Sequence, residues 1–433
     1  MNNPIHNASD TAAYDVAVIG GGASGLAAAI TAARIGATVC VIERDVEAGL
    51  SILATGNGRC NVSNAHIDPM RYRHPAIARA VMGEHAETGI RSFFDGLGLL
   101  MAEEDEGRLY PATRRAESVR DVLLGACVRE SIDIRSCTEV AKARFDGAWE
   151  LTVREPAHPL SYKRGRDGRA TLRNARKALS SATFRDRTIR AHRVILACGG
   201  ASESVCSLFN IPHLAEEPML CPVGASIAGA TDALAALDGL RVEGALSLRQ
   251  NDEITWCEEG EILFRPYGIS GIAAFNLSRR AGAGDSLLID LFPRYSRDAF
   301  RAVLDERVKV LGAFSANNPA WFDGMLAPAL AHLVCRLYTA CHPGDTNVSH
   351  IVSICKHLKL TVSGTAEPQQ AQIRRGGIPF ETVDLDTLAV TCKMGPGLFA
   401  CGEALDMDAD CGGYNLAWAW LSGIRAGKEA AHA

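Results

Sequence analysis

The sequence predicts an α/β protein in which a doubly wound parallel sheet is interrupted by an inserted β-barrel-like and helical region. Three separated segments predict the sheet. A buried strand, a glycine turn and a helix occupy residues 14–35, a second strand runs into Gly199, and a third strand with its own glycine pair and helix lies near the end of the chain. Short alternating strands followed by helical periodicity predict the inserted region.

The first segment has the order of elements found in a dinucleotide-binding unit. The apolar run YDVAVI is followed by Gly20-x-Gly22-x-x-Gly25, an alanine-rich helix and a strand that ends in Glu43. Gly20 permits a tight turn, Gly22 lets the backbone approach a pyrophosphate, and Gly25 lets the helix pack closely on the strand. Glu43 lies 18 residues beyond Gly25, where it would accept hydrogen bonds from a ribose and repel a 2′-phosphate. The unit therefore predicts a Rossmann-like domain that binds FAD or NAD rather than NADP.

The C-terminal segment favours FAD over NAD. It reads as a strand, GLFACGE, followed by an acidic loop, a glycine pair and a helix that starts near Asn415. The isoalloxazine of FAD lies far from its adenosine and needs a second helix N-terminus beside its pyrimidine ring. Backbone N–H groups of residues 412–415 would meet this need, and Glu403 and Asp406 would lie near the ribityl chain.

The stretch TGNGRCNVSN, residues 55–64, follows the first unit and predicts a cofactor clamp. Gly56 and Gly58 would let the backbone pass against the cofactor, where a side chain would collide. Arg59 would place a fixed positive charge beside the phosphates or the flavin ring, and Asn61 would hydrogen-bond the isoalloxazine edge. Cys60 is expected to be a packed thiol, because no other cysteine has useful spacing.

These motifs together resemble a bacterial family of NAD(P)/FAD-dependent oxidoreductases. The resemblance rests on GNGRCNVSN, GRLYPATRRAESVRDVL, GEILFRPYGISGIAAFNLSR, AQIRRGGI and PGLFACGEALDMDADCGGYNLAWAWLSG, in this order over residues 14–430. The family includes aminoacetone-oxidase-like FAD-binding enzymes and reductases of unsaturated 3-oxo bile acids. It implies FAD as the cofactor, with the strand near Val140 at its adenine end. The residues expected to bind FAD are Gly20, Gly22, Ala23, Ser24, Gly25, Glu43, Arg44, Gly56, Gly58, Arg59, Cys60, Asn61, Val140, Ala197, Gly199, Gly402, Glu403, Asp406, Gly412, Gly413, Tyr414, Asn415 and Leu416.

The predicted domain boundaries place the first part of the FAD-binding domain at 1–202, the inserted substrate or cap domain at 203–360 and the C-terminal part of the FAD-binding domain at 361–433. Within the first part, residues 154–193 hold 12 Lys or Arg and only 3 Asp or Glu. This stretch could be a nucleic-acid or phosphate patch, but few aromatic side chains accompany it. We favour a solvated, mobile insertion between two strands.

Candidates for proton transfer lie in the motif loops, because flavin carries the hydride chemistry. Arg265, Tyr267 and Ser270 of FRPYGISG would face the flavin and polarise a substrate carbonyl, and Tyr110 and Tyr414 are further candidate proton donors. No Cys-x-x-Cys occurs among the 14 cysteines, which argues against a disulfide relay. No second G-x-G-x-x-G follows a strand, so NAD(P)H as reductant would bind transiently over the flavin.

Composition and sequence patterns argue against several classes of binding partner. The net charge of −5 gives no global attraction to nucleic acid, and no apolar run reaches the ~20 residues that a membrane-spanning helix needs. The N-terminus lacks the features of a secretory signal, so a reducing cytoplasm is expected. Asp406, Asp408 and Asp410 lack the Gly and Glu of a calcium loop, and the histidines lack metal-ligand spacing; no metal site is therefore expected.

The sequence leads to one preferred function and leaves others open. We expect an FAD-dependent oxidoreductase that reduces a C=C bond conjugated to a carbonyl in a small hydrophobic substrate, such as a steroid or bile acid. The alternatives are an amine or amino-ketone oxidase that uses oxygen, and a flavin-binding protein without catalysis of its own or one that binds RNA through residues 154–193.

Overall fold

The structure is a computed structural model and describes residues 11–230, 232–342, 345 and 347–432. Residues 1–10, where no secretory signal was predicted, lie outside this part. The chain forms two compact units, the first being Met1–Glu217 with Arg374–Ala433 and the second Pro218–Ile373.

The strands, in chain order, are β1 Thr11–Ile19, β2 Val39–Ile42, β3 Ser63–Asn64, β4 Met101–Glu103, β5 Arg108–Pro111, β6 Asp133–Arg135, β7 Glu139–Phe145, β8 Trp149–Pro156, β9 Phe184–Leu196, β10 Leu214–Met219, β11 Val223–Ser226, β12 Arg241–Gln250, β13 Glu253–Arg265, β14 Gly268–Ser270, β15 Ser286–Asp290, β16 Leu358–Thr365, β17 Ile373–Gly377 and β18 Leu398–Ala400. The helices are α1 Ala23–Arg34, α2 Leu50–Ala54, α3 Pro75–Met82, α4 Ala86–Asp95, α5 Ala116–Arg129, α6 Gly168–Ser180, α7 Glu203–Leu208, α8 Ala233–Ala236, α9 Ile272–Ser278, α10 Arg297–Leu311, α11 Pro328–Cys341, α12 Val348–Lys356 and α13 Tyr414–His432.

The first unit is built on a seven-stranded sheet in the order β6-β2-β1-β9-β8-β7, with β18 also paired to β9. β1, β2, β6, β9 and β18 are parallel, whereas β7 and β8 add an antiparallel meander. Parallel strands buried on both faces require helices on both sides. The structure thus confirms the predicted doubly wound domain and its inserted barrel.

Register aligns the carboxyl ends of the parallel strands. Ile19 of β1 lies beside Ile42 of β2 and Leu196 of β9, and Leu196 lies beside Ala400 of β18. The loops that follow these four strands therefore emerge at one edge of the sheet. Ligands of open α/β sheets bind outside this edge.

Helices α1 and α13 pack together unusually closely on the first unit's sheet. A Cβ on Gly423 would lie 2.4 Å from the carbonyl oxygen of Ser24, and one on Gly427 would lie 2.2 Å from that of Ala28. The two glycines are spaced four residues apart, as are the carbonyls they face. The two helices therefore touch at two points, one helical turn apart on each. This contact sets the positions of the α1 and α13 N-termini.

The basic stretch between β8 and β9 contains the helix α6. Asp167 caps its N-terminus by accepting from the N–H of Ala170 at 2.7 Å. Arg176 of α6 pairs with Asp45, 3.0 Å from Nε to Oδ1, in the loop after β2. Part of the stretch predicted as a solvated, mobile insertion between two strands is therefore a helix tied to the first unit.

The second unit contains a closed antiparallel barrel in the order β11-β14-β13-β12-β15-β16. Leu246, Phe264 and Leu360 are among the fully buried side chains of its core. Helices α10, α11 and α12 enclose a second apolar cluster that includes Phe314 and Tyr338. The barrel strands and the helices that follow them agree with the alternating and helical patterns predicted for the inserted region.

The second unit begins and ends later in the chain than the inserted region predicted at 203–360. Cys206 and Phe209 at the start of that range are fully buried in the apolar core of the first unit. Val362, just beyond its end, is buried in the barrel. Within the part of the chain that the structure describes, no helix combines the length and apolar character needed to cross a membrane.

Candidate functional site

The glycine turn after β1 forms a narrow cradle at the carboxyl edge of the sheet. Gly20 has φ +111°, and a Cβ there would lie 2.3 Å from the carbonyl oxygen of Ala197. A Cβ on Gly25 would lie 1.9 Å from the carbonyl oxygen of Gly20. Gly22 is the N-cap residue of α1. Because glycine has no side chain to accept hydrogen bonds from the first turn of the helix, backbone N–H groups there remain available to an anion.

The predicted residues Ala23, Ser24, Ala197, Gly199 and Gly402 surround this turn. Ala23 begins α1, Ser24 is buried, and a Cβ on Gly402 would lie 2.3 Å from Ser24 Oγ. The N–H of Ala197 donates to the carbonyl of Ile19 at 2.9 Å, and Gly199 has φ +69°. The loops after β1, β9 and β18 thus meet where sequence analysis placed a pyrophosphate.

Glu43 lies at the end of β2, half-buried, with both carboxylate oxygens facing backbone donors. Oε2 accepts from the N–H of Gly21 at 2.8 Å and Oε1 from that of Asp45 at 2.8 Å. Each oxygen keeps a second lone pair, which leaves capacity for ribose hydroxyls. Arg44 is exposed, and Val140 is buried in β7. The link from Asp45 to Arg176 of α6 was not foreseen, because sequence alone did not predict α6.

The GNGRCN stretch turns sharply at Gly56, which has φ +54°. Cys60 is buried, and burial raises the pKa of its thiol to about 12. Arg59 Nη2 lies 2.5 Å from both carboxylate oxygens of Glu104, and its guanidinium sits 4.2 Å from the ring centre of Tyr110. Tyr110 was expected in a loop but lies buried in β5. The partners that the structure gives Arg59 are therefore a carboxylate and an aromatic ring, while its contact with a cofactor remains a prediction.

The same stretch is joined to the start of α13. With its amide oriented to satisfy its neighbours, Asn61 accepts from the N–H of Gly413 at 3.1 Å and donates to the carbonyl of Ser63 at 2.8 Å. Gly413 has φ +98°, and a Cβ there would lie 2.3 Å from that same carbonyl. Asn61 and Gly413 thus hydrogen-bond each other across opposite ends of the chain, and this bond engages the Gly413 N–H that was predicted to face the flavin.

Other predicted residues of the α13 segment form its scaffold. The side chain of Asn415 accepts from the N–H of Ala409 at 2.8 Å and donates to its carbonyl at 2.9 Å. Tyr414 is buried at the start of α13, where burial raises its pKa, and Tyr72 donates to its carbonyl at 2.9 Å. Gly412 has φ +121°, and Leu416 is partly buried.

The acidic loop DMDADC is held by arginines that sequence analysis did not connect to it. Each of its three aspartates is buried and forms an ion pair. These pairs are Asp406 with Arg73 at 2.6 Å, Asp408 with Arg375 at 2.9 Å, and Asp410 with Arg71 at 3.5 Å. The only sequence signal was the alternation of the acids, which was interpreted as a turn. The pairs tie the loop before α13 to the chain segments around residues 72 and 375.

Glu403 lies near the carboxylate of Glu216 and the backbone N–H of Arg374. Its Oε1 accepts from the N–H of Arg374 at 2.6 Å, and burial raises its pKa to about 7, with the charge of Glu216 adding to the rise. Glu216 in turn accepts from Ser202 Oγ at 2.9 Å and lies 3.2 Å from His213 Nε2. Glu403 was predicted to lie near the ribityl chain, whereas its neighbours Glu216, Ser202 and His213 were missed.

The catalytic candidates fall into the two units. Arg265 and Tyr267 lie at the hairpin between β13 and β14, and Ser270 ends β14, all in the second unit. Burial, with a hydrogen bond to Glu367, raises the pKa of Tyr267 to about 12. Arg265 lies 3.3 Å from Asp238. Tyr110 and Tyr414 lie in the first unit.

An uncapped helix N-terminus, a glycine cradle beside it and a carboxylate on the neighbouring strand fit a bound dinucleotide. This arrangement defines a dinucleotide-binding protein of the doubly wound class. Residues 14–429 match the family described as the HI0933-like protein Rossmann domain, and the chain belongs to that family. It is an FAD-binding oxidoreductase, which confirms the resemblance and the cofactor inferred from the motifs.

Relatives match nearly the whole chain. It is 30% identical to a 3-dehydro-bile acid delta(4,6)-reductase of Clostridium scindens, over 96% of this chain and 98% of that protein. It is 23% identical to a ribosomal RNA dihydrouridine synthase of Escherichia coli, over 94% and 96%. Among solved structures, 3-ketosteroid-delta4-(5alpha)-dehydrogenase from Rhodococcus jostii RHA1 is 15% identical with a TM-score of 0.46, covering 97% of each chain.

Proposed function

We propose that the protein uses FAD to reduce a C=C bond conjugated to a carbonyl in a hydrophobic, steroid-like substrate. The observation that carries the proposal is the match of 96% of the chain to a bile-acid delta(4,6)-reductase. When bound, FAD supplies the hydride chemistry, and the protein's own groups bind, orient and exchange protons.

The two named relatives support one reaction class although their substrates differ. A delta(4,6)-reductase of a 3-oxo bile acid saturates carbon–carbon double bonds in conjugation with a ketone. Dihydrouridine differs from uridine by saturation of a ring double bond conjugated to a carbonyl. Reduction of an activated double bond is therefore the chemistry common to both names.

Tyr267 is the proposed proton donor. With a pKa of about 12, its hydroxyl stays protonated throughout the neutral range and can donate to a carbonyl oxygen or to a carbon centre. Arg265, whose guanidinium lies 6.0 Å from the Tyr267 ring centre, adds positive charge beside it. Ser270, at the end of β14, is a further hydroxyl for orienting the substrate.

In the first unit, the proposed roles concern the cofactor. The α1 N-terminus would bind the pyrophosphate, Glu43 the ribose hydroxyls, and the α13 N-terminus the pyrimidine edge of the flavin. NAD(P)H is the proposed reductant and would bind transiently, since the sequence holds no second glycine fingerprint. We propose a reducing, cytoplasmic location, in which the 14 cysteines would stay free thiols.

The test is anaerobic turnover of the FAD-loaded protein with a 3-oxo-Δ4 steroid, using NADH and NADPH in parallel. The proposal predicts bleaching of the flavin absorbance by one nucleotide, its return on adding the steroid, and one saturated product per nucleotide consumed. Tyr267→Phe should retain FAD and lose most turnover. Peroxide formation with aminoacetone, and no reaction with enones, would instead identify an amino-ketone oxidase.

RNA is a second candidate substrate, favoured by one observation. The relative from Escherichia coli is named for ribosomal RNA, and this chain carries exposed Arg169 and Arg173 on α6 within its basic stretch. Dihydrouridine formation in unmodified ribosomal RNA, lost when residues 157–183 are replaced by a short linker, would favour this substrate. Turnover of the steroid alone would exclude it.

A further inference from the structure

The second unit brings two histidines and an aspartate together between α11 and α12. His342 follows the end of α11, His350 lies in the first turn of α12, and Asp345 lies between them. Among the described residues, these three form the group whose potential ligand atoms all lie within 4.8 Å of one another. They belong to neither the FAD segments nor the catalytic candidates.

The geometry of the group is ordered by its surroundings. The imidazole rings of His342 and His350 stack with centroids 3.5 Å apart and planes 18° apart. Asp345 Oδ2 lies 3.0 Å from His350 Nε2, while its Oδ1 accepts from the N–H of Asn347 at 2.9 Å. A carboxylate held through one oxygen presents the other in a fixed direction.

A buried tyrosine fixes the two helix ends. Tyr338 is fully buried, and its hydroxyl donates to the carbonyl of Asn347 at 3.2 Å. Its ring contacts both imidazoles edge-on, with centroids 5.7 Å from His342 and 6.2 Å from His350. His342 and His350 are therefore mounted at packed helix ends, whereas Asp345 lies in the connection between the two helices.

We propose that His342, Asp345 and His350 bind a divalent transition-metal ion such as Zn²⁺. Two imidazole nitrogens and one carboxylate oxygen are a common donor set for this ion, and three protein ligands leave a fourth position for water. Imidazole nitrogens bind metals through lone pairs in the ring plane, so the two stacked rings must rotate apart about χ2 for both to reach one ion. The ion would link α11 to α12.

Sequence analysis expected no metal site because the three residues do not share a helix face. Their spacing, His-x2-Asp-x4-His, becomes a ligand set only when the chain reverses between α11 and α12. An ordinary surface ion pair between Asp345 and His350 is the competing explanation. The two explanations differ in whether His342 contributes to binding.

The test is isothermal titration of ZnCl₂ into tag-free, chelator-treated, FAD-loaded protein at pH 7.5. The proposal predicts one equivalent bound per chain and a rise in melting temperature. His342→Ala and Asp345→Asn should each abolish both effects. Calorimetry needs no substrate, so the result is independent of the proposed reaction.

Two variants control for other metal-binding groups. Cys341→Ser removes the exposed neighbouring thiol, and His332→Ala removes an exposed histidine of the same helix. Both should bind Zn²⁺ like the parent. FAD content and the metal-free melting temperature verify that each variant folds. Absence of Zn²⁺ binding in the parent, or unchanged binding in folded His342→Ala, would overturn the proposal.

Discussion

Replacing Gly427 by alanine tests the close contact between α1 and α13. A Cβ there would lie 2.2 Å from the carbonyl oxygen and 2.8 Å from the Cα of Ala28. Both atoms are backbone, so the helices must separate for the methyl group to fit. Separation would shift the N-termini of α1 and α13, which are proposed to hold FAD.

The expected magnitude is the difference between two opposing effects. In an exposed helix, Gly→Ala stabilises by about 1 kcal/mol, because alanine has the higher helix propensity. Overpacking a dense core costs about 1–3 kcal/mol, and backbone contacts lie at the upper end because no rotamer change relieves them. Gly427→Ala should therefore lower the free energy of unfolding by about 1–2 kcal/mol.

Gly125 in α5 is the matched control. A Cβ there would meet only the end of the flexible Arg129 side chain, at 3.4 Å. Gly125→Ala should raise the free energy of unfolding by up to about 1 kcal/mol. Guanidinium denaturation gives both values, and bound FAD per chain gives the effect on the site. A Gly427→Ala protein that equals or exceeds the parent in stability would refute the close contact.

Three further predictions concern charged and polar groups of the first unit. Asp408→Asn removes the buried charge that faces Arg375 and should lower the free energy of unfolding by about 1–3 kcal/mol in denaturant unfolding; an unchanged value would show that the ion pair is dispensable. The pKa of Glu403 is raised to about 7, so its contribution to stability falls as pH rises from about 4.5 through 7. In protein stripped of flavin, Glu403→Gln should lose up to about 3 kcal/mol less than the parent between pH 5 and 8, and parallel curves would contradict this. Arg59→Ala should lose much of its FAD in dialysis while Cys60→Ser retains it, and equal retention would remove Arg59 from the clamp.

Sequence analysis predicted those parts of the fold that depend on local patterns. The strand, glycine turn and helix around Gly20 were predicted because they depend on residues close together in the sequence: an apolar run forms the strand, and the glycines permit the tight turn before the helix. The barrel strands and the helices α10 to α12 likewise follow from periodicity.

The contacts that were not predicted from the sequence join residues far apart along the chain. Arg73 and Asp406 are 333 residues apart in sequence, and nothing local to either residue indicates the partner. The bond between Asn61 and Gly413 also arises only when both ends of the chain reach the same edge of the sheet. The ends of the inserted region were displaced for a related reason, because the burial of Phe209 in the first unit is a tertiary property.

Reduction of a carbon–carbon double bond conjugated to a carbonyl is the reaction proposed for this protein. The most direct measurement mixes dithionite-reduced, FAD-loaded protein with a 3-oxo-Δ4 steroid under strict exclusion of oxygen and follows the flavin absorbance. The flavin should be reoxidised with one saturated ketone formed per FAD, and this reoxidation should be strongly slowed in Tyr267→Phe. Flavin that stays reduced with steroid enones and with uridine-containing ribosomal RNA alike, yet reoxidises at once in air, would contradict the proposed reaction.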